Sequence, residues 1–208
     1  NGIRPVTVAS PEQGLALRRQ HGLDSADRVL LFIGRITPKK RLEDIIQALS
    51  LLGASAPHLF IAGSPTAEPD YGEALFRIVR GCGCAARVHW LGFLDEAAKA
   101  AAYAAADVFV HASESEGMAL AILEAMSAGL PVVATRGCYM AEAAASHALI
   151  QCEQGANALA AALAPLLADP SRARAQGLVG QTHAHRVHDW EALARATMRI
   201  YAEAPARA

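Results

Sequence analysis

Val29-Leu-Leu-Phe-Ile-Gly-Arg-Ile-Thr-Pro-Lys-Lys-Arg41 reads as a strand that closes on a glycine and hands over to a basic turn. Five apolar residues run together with no polar alternation, the mark of a strand covered on both faces. The same form recurs at Leu59-Phe-Ile-Ala-Gly63, Val88-His-Trp-Leu-Gly92, Val108-Phe-Val-His111 and Pro131-Val-Val-Ala-Thr135, and more weakly at Ala148-Leu-Ile-Gln151. Helix patterns lie between them, over 38–52, 71–81, 95–105, 117–128 and 139–147. In the first of these, Leu42, Ile45, Ile46, Leu49 and Leu52 share one stripe at spacings of three and four. Strand and helix alternating in this way predict an α/β, Rossmann-like, doubly wound parallel sheet of about six strands with helices on both faces. A short extended piece and a helix from about Pro11 to Gln20 precede this core. Helices over about 155–167, 171–183 and 189–203 follow it, the first kinked or shortened at Pro165. The 208 residues read as one domain.

Composition narrows the function. Apolar residues make up 53% and charged residues 19%, and the formal net charge is −1. Such a chain has no global basic field to hold a nucleic-acid backbone, so any anion site must be local. No apolar run approaches the ~20 residues of a membrane span, and no leader for secretion is recognisable. Cys82, Cys84, Cys138 and Cys152 lack zinc spacing and read as reduced cytosolic thiols. His183, His185 and His188 read as a solvated helix end and loop rather than metal ligands.

In an open parallel sheet, ligands bind beyond the carboxyl ends of the strands. After the first strand, Thr37 and Pro38 offer an N-cap and first-turn pair, followed by Lys39, Lys40 and Arg41. Cations are the wrong sign for a helix N-terminus, which points to a bound anion as compensation. Arg35 supplies a planar fork for phosphate oxygens and Lys40 a movable point charge. After the fourth strand comes Ser113-Glu-Ser-Glu116-Gly117-Met-Ala-Leu-Ala-Ile-Leu-Glu124. Gly117 permits a tight turn, from which Met118, Ala119 and Leu120 open a helix with free amides suited to phosphate or sugar. Glu116 sits in that turn and Glu124 two turns into the helix. A Gly-x-Gly-x-x-Gly fingerprint, a P-loop and a Gly-x-Ser-x-Gly elbow are all missing.

Gly34-Arg35 with a lysine five residues on, followed by Glu116-x7-Glu124-Ala-Met-x-Ala-Gly-x-Pro-Val-Val133, resembles the family-4 retaining glycosyltransferases. The likeness extends over nearly the whole chain. Asn1-Gly-Ile resembles the end of an interdomain linker, Val88-His-Trp-Leu-Gly92 the third-strand motif, and Asp189-Trp190 with Tyr201 the closing helix. The resemblance implies the C-terminal, donor-binding half of a GT-B fold over 1–208, with 1–21 as linker and first helix and 189–203 as closing helix. It implies that the N-terminal acceptor domain lies outside this chain and that the chain alone transfers no sugar. Carried over, Arg35, Lys40 and Glu116 are the catalytic residues. Arg35 and Lys40 neutralise the departing diphosphate, while Glu116 touches hydroxyls of the transferred sugar. Gly34, Phe93, Gly117, Met118, Ala119, Leu120 and Glu124 bind the donor, with Phe93 at the base and Glu124 at the ribose. The family's cations and helix amides do what a metal does elsewhere, so no cofactor and no metal are expected. The partners implied are a nucleotide-sugar and the missing acceptor domain; the expected location is cytoplasmic, with any peripheral membrane association left to the intact protein.

Three departures stand out. Met118-Ala119 replaces the family's usual Phe-Gly, Arg41 follows Lys40 where glycine is common, and His111-Ala112 replaces a small-or-proline pairing. The same fold also serves nucleotide-sugar epimerases, phosphorylases and binding modules without catalysis, and the sequence leaves the base, sugar and acceptor open.

Overall fold

The computed structural model of the chain describes residues 2–66 and 68–203. The strands are β1 (Val29–Ile33), β2 (His58–Ala62), β3 (Val88–Gly92), β4 (Val108–His111), β5 (Val132–Thr135) and β6 (Ile150–Cys152). They form one parallel sheet in the order β3-β2-β1-β4-β5-β6. The order reverses between β1 and β4, where Leu30 faces Val108 and Leu31 faces Phe109. Around the sheet stand α1 (Pro11–Gln20), α2 (Leu42–Leu52), α3 (Pro69–Gly81), α4 (Glu96–Ala105) and α5 (Leu120–Ser127). The rest are α6 (Ala141–Ala145), α7 (Ala156–Ala168), α8 (Pro170–Val187) and α9 (Trp190–Glu203).

The unbroken apolar runs are explained by two cores. Leu30, Phe32, Leu59, Ile61 and Val133 point to one face and pack beneath α2, α3 and α7. Val29, Leu31, Phe60, Phe109 and Val132 point to the other, beneath α4 and α5. Successive strand residues alternate faces, so a strand buried on both sides must be apolar at every position. Alternation of 3.6-residue and continuous patterns was therefore enough to identify the doubly wound sheet.

α1 begins with a capping box, in which Ser10 Oγ accepts from the Gln13 amide and Gln13 Oε1 accepts from the Ser10 amide. Its Arg18 is buried and serves as a lock. Nε donates to the Ala105 carbonyl at 2.8 Å, Nη1 to the carbonyls of Asp24 and Asp27, and Nη2 to Asp107 Oδ2 at 2.8 Å. Asp107 also accepts from Arg28 and from the Val29 amide. One guanidinium thus ties α1 to the start of β1 and to the turn before β4.

The structure corrects several sequence expectations. The helix expected over 38–52 is broken at Arg41, whose backbone is left-handed (φ 51, ψ 42), and Thr37 makes no side-chain cap. Pro38–Lys40 form a separate 3-10 turn. α2 starts at Leu42 with Glu43 and Asp44 in its first turn, the sign the macrodipole favours. The basic residues therefore carry no dipole penalty. α7 runs through Pro165 to Ala168, because Leu163 and Leu166 on either side are buried and hold the last turn in place. α8 reaches Val187, and its final turn buries His183 and His188, while His185 stays exposed as expected. His183 is buried beside His188 at 5.8 Å with its Nδ1 3.0 Å from Ser146 Oγ, and His185 Nε2 meets Ser127 Oγ at 2.9 Å. Cys82 and Cys84 are joined in a disulfide rather than left as thiols, Gly83 at φ 70 bending the chain until their Cα atoms are 5.4 Å apart. Cys138 and Cys152 are free. Asn1 lies outside the described residues. The segment after it meets the α8–α9 corner, where the Ile3 amide donates to His188 and the Ile3 carbonyl accepts from Trp190.

Among the described residues, no helix is long and apolar enough to cross a membrane, and no group of three or more His, Cys, Asp or Glu is placed to hold a metal ion.

Two outcomes follow for stability. Arg18→Ala leaves Asp107 short of its buried partner while Arg28 remains, and is expected to cost about 3 kcal/mol in urea unfolding. At the amino end of the sheet His58 Nδ1 lies 3.0 Å from His89 Nε2, with the His21 ring edge-on to His89 at 5.2 Å. Burial, then the neighbouring His21 and His58, pull the His89 pKa down from 6.5 to about 4. The unfolded chain takes up this proton first, so stability is complete above pH 6.5 and falls as pH drops toward 4. Unfolding midpoints measured across that window should fall in the wild type and fall less steeply in His89→Gln, since His111 and other buried histidines keep part of the slope.

Candidate functional site at the carboxyl edge of the sheet

Three loops meet where the strand order reverses. The loop after β1 carries Gly34 to Arg41, and the loop after β4 carries Ala112 to Ala119. The loop after β5 begins with a 3-10 turn at Arg136–Cys138. Backbone bonds stitch them together: the Glu114 amide donates to the Lys39 carbonyl at 2.9 Å, and the Glu116 amide to the Gly137 carbonyl at 2.8 Å. The approach is close enough that a Cβ on Gly137 would run into the Ser113 and Glu114 carbonyls. On the other side, the Gly63 amide donates to Gly92, and a Cβ on Gly63 would strike the Gly34 carbonyl.

This stitching brings Lys40 and Glu116 into a direct ion pair, with Ser113 Oγ donating to the same carboxylate oxygen. Both side chains are largely buried. Beneath them His111, only 1% exposed, lies flat between Phe32 and Phe109. Its Nε2 is 3.5 Å from Glu116 Oε1, too long for a well-made bond, and neither ring nitrogen has a partner within hydrogen-bonding geometry. Burial keeps the imidazole neutral by pushing its pKa down. The nearby His111, with Lys40 and Ser113, holds the Glu116 carboxyl far below the usual carboxylate range, against the upward push of burial.

The remaining cations of the basic turn divide. Arg41 is taken by Asp44, with Nε 3.0 Å from Oδ2 and Nη2 3.2 Å from Oδ1. The second departure thus forms a local clasp and does not add charge to the site. Arg35 and Lys39 have no described acidic residue within ion-pair distance, so their charge faces solvent.

Gly34, Arg35 and Phe93 line a slot of ≈ 270 Å³ with Gly63, Ser64 and Lys99. Phe93 stands on its rim, 87% exposed. Leu120 and Glu124 line a neighbouring cavity of ≈ 620 Å³ with Glu96, Lys99 and Trp190. Glu124 meets none of the other anticipated residues; it is held by Lys99 and by Tyr103 Oη, the latter at 2.9 Å from Oε2. The helix expected from residue 117 begins at Leu120, since Glu116 and the turn after it are committed to the β5 loop. Met118 and Ala119 lie before it. Ala119 provides no side-chain cap, so the first amides of α5 have no side-chain acceptor. Gly117 is exposed, its φ is not positive, and an added Cβ would meet nothing. The turn itself therefore does not need a glycine.

His111, Ser113, Lys99 and Tyr103 were not singled out as site residues. A histidine ending an apolar strand and a lysine in the alanine-rich stretch 97–105 were the available signals.

A family model for the glycosyl transferases group 1 matches residues 15–181. The chain belongs to this family. A group 1 relative, D-inositol 3-phosphate glycosyltransferase of Segniliparus rotundus, is 32% identical over 95% of this chain and 46% of its own length. Sucrose-phosphate synthase from Thermosynechococcus elongatus superposes with a TM-score of 0.83 at 26% identity, covering 97% of this chain and 51% of the synthase. Anabaena HepE in complex with UDP superposes at 0.88 with 23% identity, covering 98% and 56%, which shows a shared fold. The sheet is that of GT-B glycosyltransferases. The chain spans about half the length of the curated group 1 relatives it matches.

The Lys40–Glu116 contact can be measured directly. A double-mutant cycle of Lys40→Met and Glu116→Gln in urea unfolding is expected to give a coupling of about 1–3 kcal/mol. The lowered carboxyl pKa means that this stabilisation is present above the unfolded value of 4.5 and is lost only as pH falls well below it. The coupling should therefore be equal at pH 7 and pH 5.

Proposed function

We propose that this chain is the donor-binding domain of a family-4 retaining glycosyltransferase, transferring a sugar from a nucleotide-diphosphate sugar once an acceptor domain closes over it. The observation that carries the reading is that the uncommitted cations Arg35 and Lys39 and the uncapped amides of α5 open at one switch point, with the Glu124 carboxylate one turn into α5 in the neighbouring cavity. A diphosphate needs the first two and a ribose the third.

Glu116 neutralises Lys40. An arriving diphosphate competes for the same ammonium, and Lys40 then shares its charge between phosphate and carboxylate. Arg35 adds a planar fork. Together they stabilise the charge that grows on the leaving nucleoside diphosphate, and preorganised charge of this kind lowers the barrier. Glu116, kept ionised by its neighbours, accepts hydrogen bonds from hydroxyls of the transferred sugar. The amides of Gly117, Met118, Ala119 and Leu120 hold the distal phosphate, and the bare backbone at Gly117 leaves room for close approach. Gly34 and Phe93 shape the slot for the base, while Glu124 takes the ribose hydroxyls. No step in this scheme requires a metal. Names among the relatives fit the reading, including a GDP-mannose-dependent mannosyltransferase of Corynebacterium glutamicum.

Calorimetric titration with UDP, GDP and ADP at fixed ionic strength tests the site. One nucleotide is expected to bind, and Lys40→Ala and Glu124→Ala each to weaken it about tenfold or more, the loss of a charged hydrogen bond. Absence of binding by all three, or affinities untouched by both substitutions, would overturn the assignment. Sugar transfer by the chain alone is expected to be undetectable; robust turnover would show that the acceptor domain is not needed.

A further inference from the structure

α4 is built almost wholly of alanine, Glu-Ala-Ala-Lys-Ala-Ala-Ala-Tyr-Ala-Ala over Glu96–Ala105. Its one cation, Lys99, projects toward α5 on the side that faces the site. Nζ lies 3.3 Å from each carboxylate oxygen of Glu124. One turn on, Tyr103 donates to the same carboxylate, and burial followed by the charge of Glu124 pushes its phenol pKa up, so it remains a donor. One turn back, Glu96 Oε1 is 3.0 Å from Nζ, but the Glu96 side chain is itself in solvent. Lys99 also lies in the wall common to the ≈ 270 Å³ slot and the ≈ 620 Å³ cavity.

Stability alone does not account for this lysine. A largely buried ion pair gains little over an apolar pair of similar volume, and the buried residues of α4 are alanines and Tyr103. A carboxylate beside an ammonium has a particular use, however. Carboxylates only accept hydrogen bonds and ammonium groups only donate them. A hydroxyl does both, so it fits between the two, giving its proton to one and taking one from the other.

We propose that Lys99 is a specificity-determining residue of the nucleotide site, reading the ribose hydroxyls together with Glu124. Lys99 donates to a hydroxyl oxygen whose proton is donated to Glu124, and Tyr103 holds the carboxylate in place. The ligand class is a ribonucleoside diphosphate, with the deoxy form discriminated against. A deoxy analogue would leave two charged groups facing each other without the hydroxyl that joins them, which is how sites built around a hydroxyl reject its absence. This inference rests on the donor-site reading above.

The test compares the ribonucleoside diphosphate that binds best with its 2′-deoxy and 3′-deoxy analogues, by calorimetry, on the wild type and on Lys99→Met. On the wild type at least one deoxy analogue is expected to bind about ten- to hundredfold more weakly. In Lys99→Met that ratio is expected to shrink to within about threefold, the range of ordinary context effects on one contact, while the thermal midpoint stays near that of the wild type. A merely structural lysine would lower both affinities together and leave the ratio alone. Equal binding of ribo and deoxy forms by the wild type, or an unchanged ratio in Lys99→Met, overturns the inference while leaving the donor site standing. If no ribonucleotide binds the wild type, the donor-site reading fails and the role of Lys99 falls with it. If Lys99→Met unfolds, Lys99→Gln carries the same comparison, because its amide restores a donor without the charge and should recover part of the ratio.

Discussion

Everything at the carboxyl edge depends on β1 and β4 lying side by side. The chain returns from β3 through α4 to the far side of β1, so the loops after the first and fourth strands open at the same place. Neither loop has a complete binding site of its own. Lys40 comes from one and Glu116 from the other, and the bond from the Glu114 amide to the Lys39 carbonyl holds them in register. Arg18 and Asp107 lock the opposite end of the same pair of strands. The junction is therefore fixed at its base and adorned at its top, and the chemistry of the top is free to vary without loosening the base.

Three of the cations at the junction are paired. Lys40 meets Glu116, Arg41 meets Asp44, and Lys99 meets Glu124. Two of those three pairs contain groups to which donor roles are proposed. An anion that reaches Lys40 exchanges one partner for another, and the pairing limits the penalty of burying that charge. Arg35 and Lys39 are different, since they face solvent and supply the attraction that draws an anion in.

The four inner strands were legible because burial on both faces leaves little choice of residue, and each run of apolar residues announces itself. The turn at Lys39-Lys40-Arg41 was not, because Lys39 and Lys40 are held by Glu114 and by Glu116, the latter 76 residues from Lys40, a distance that a local pattern of caps and periodicity does not span. The late start of α5 has the same origin in the Glu116–Gly137 bond. Burial of His183 and His188 follows from the way α8 lies on its neighbours, which no spacing records. At the site, Arg35, Lys40, Glu116 and Glu124 stood out through motif spacing. His111, Lys99 and Tyr103 reach it from one strand end and one helix face, and nothing in the residues next to them marks the direction in which they point.

The contact of Gly63 with the Gly34 carbonyl has a further consequence. The floor of the smaller slot is main chain on both sides, and no side chain fits between. A side chain at position 63 therefore cannot be accommodated short of prising two strands apart. Substitution reshapes this slot at its side-chain walls, Arg35, Phe93 and Lys99 among them, while the backbone at Gly63 stays a fixed gauge against which that rim is measured.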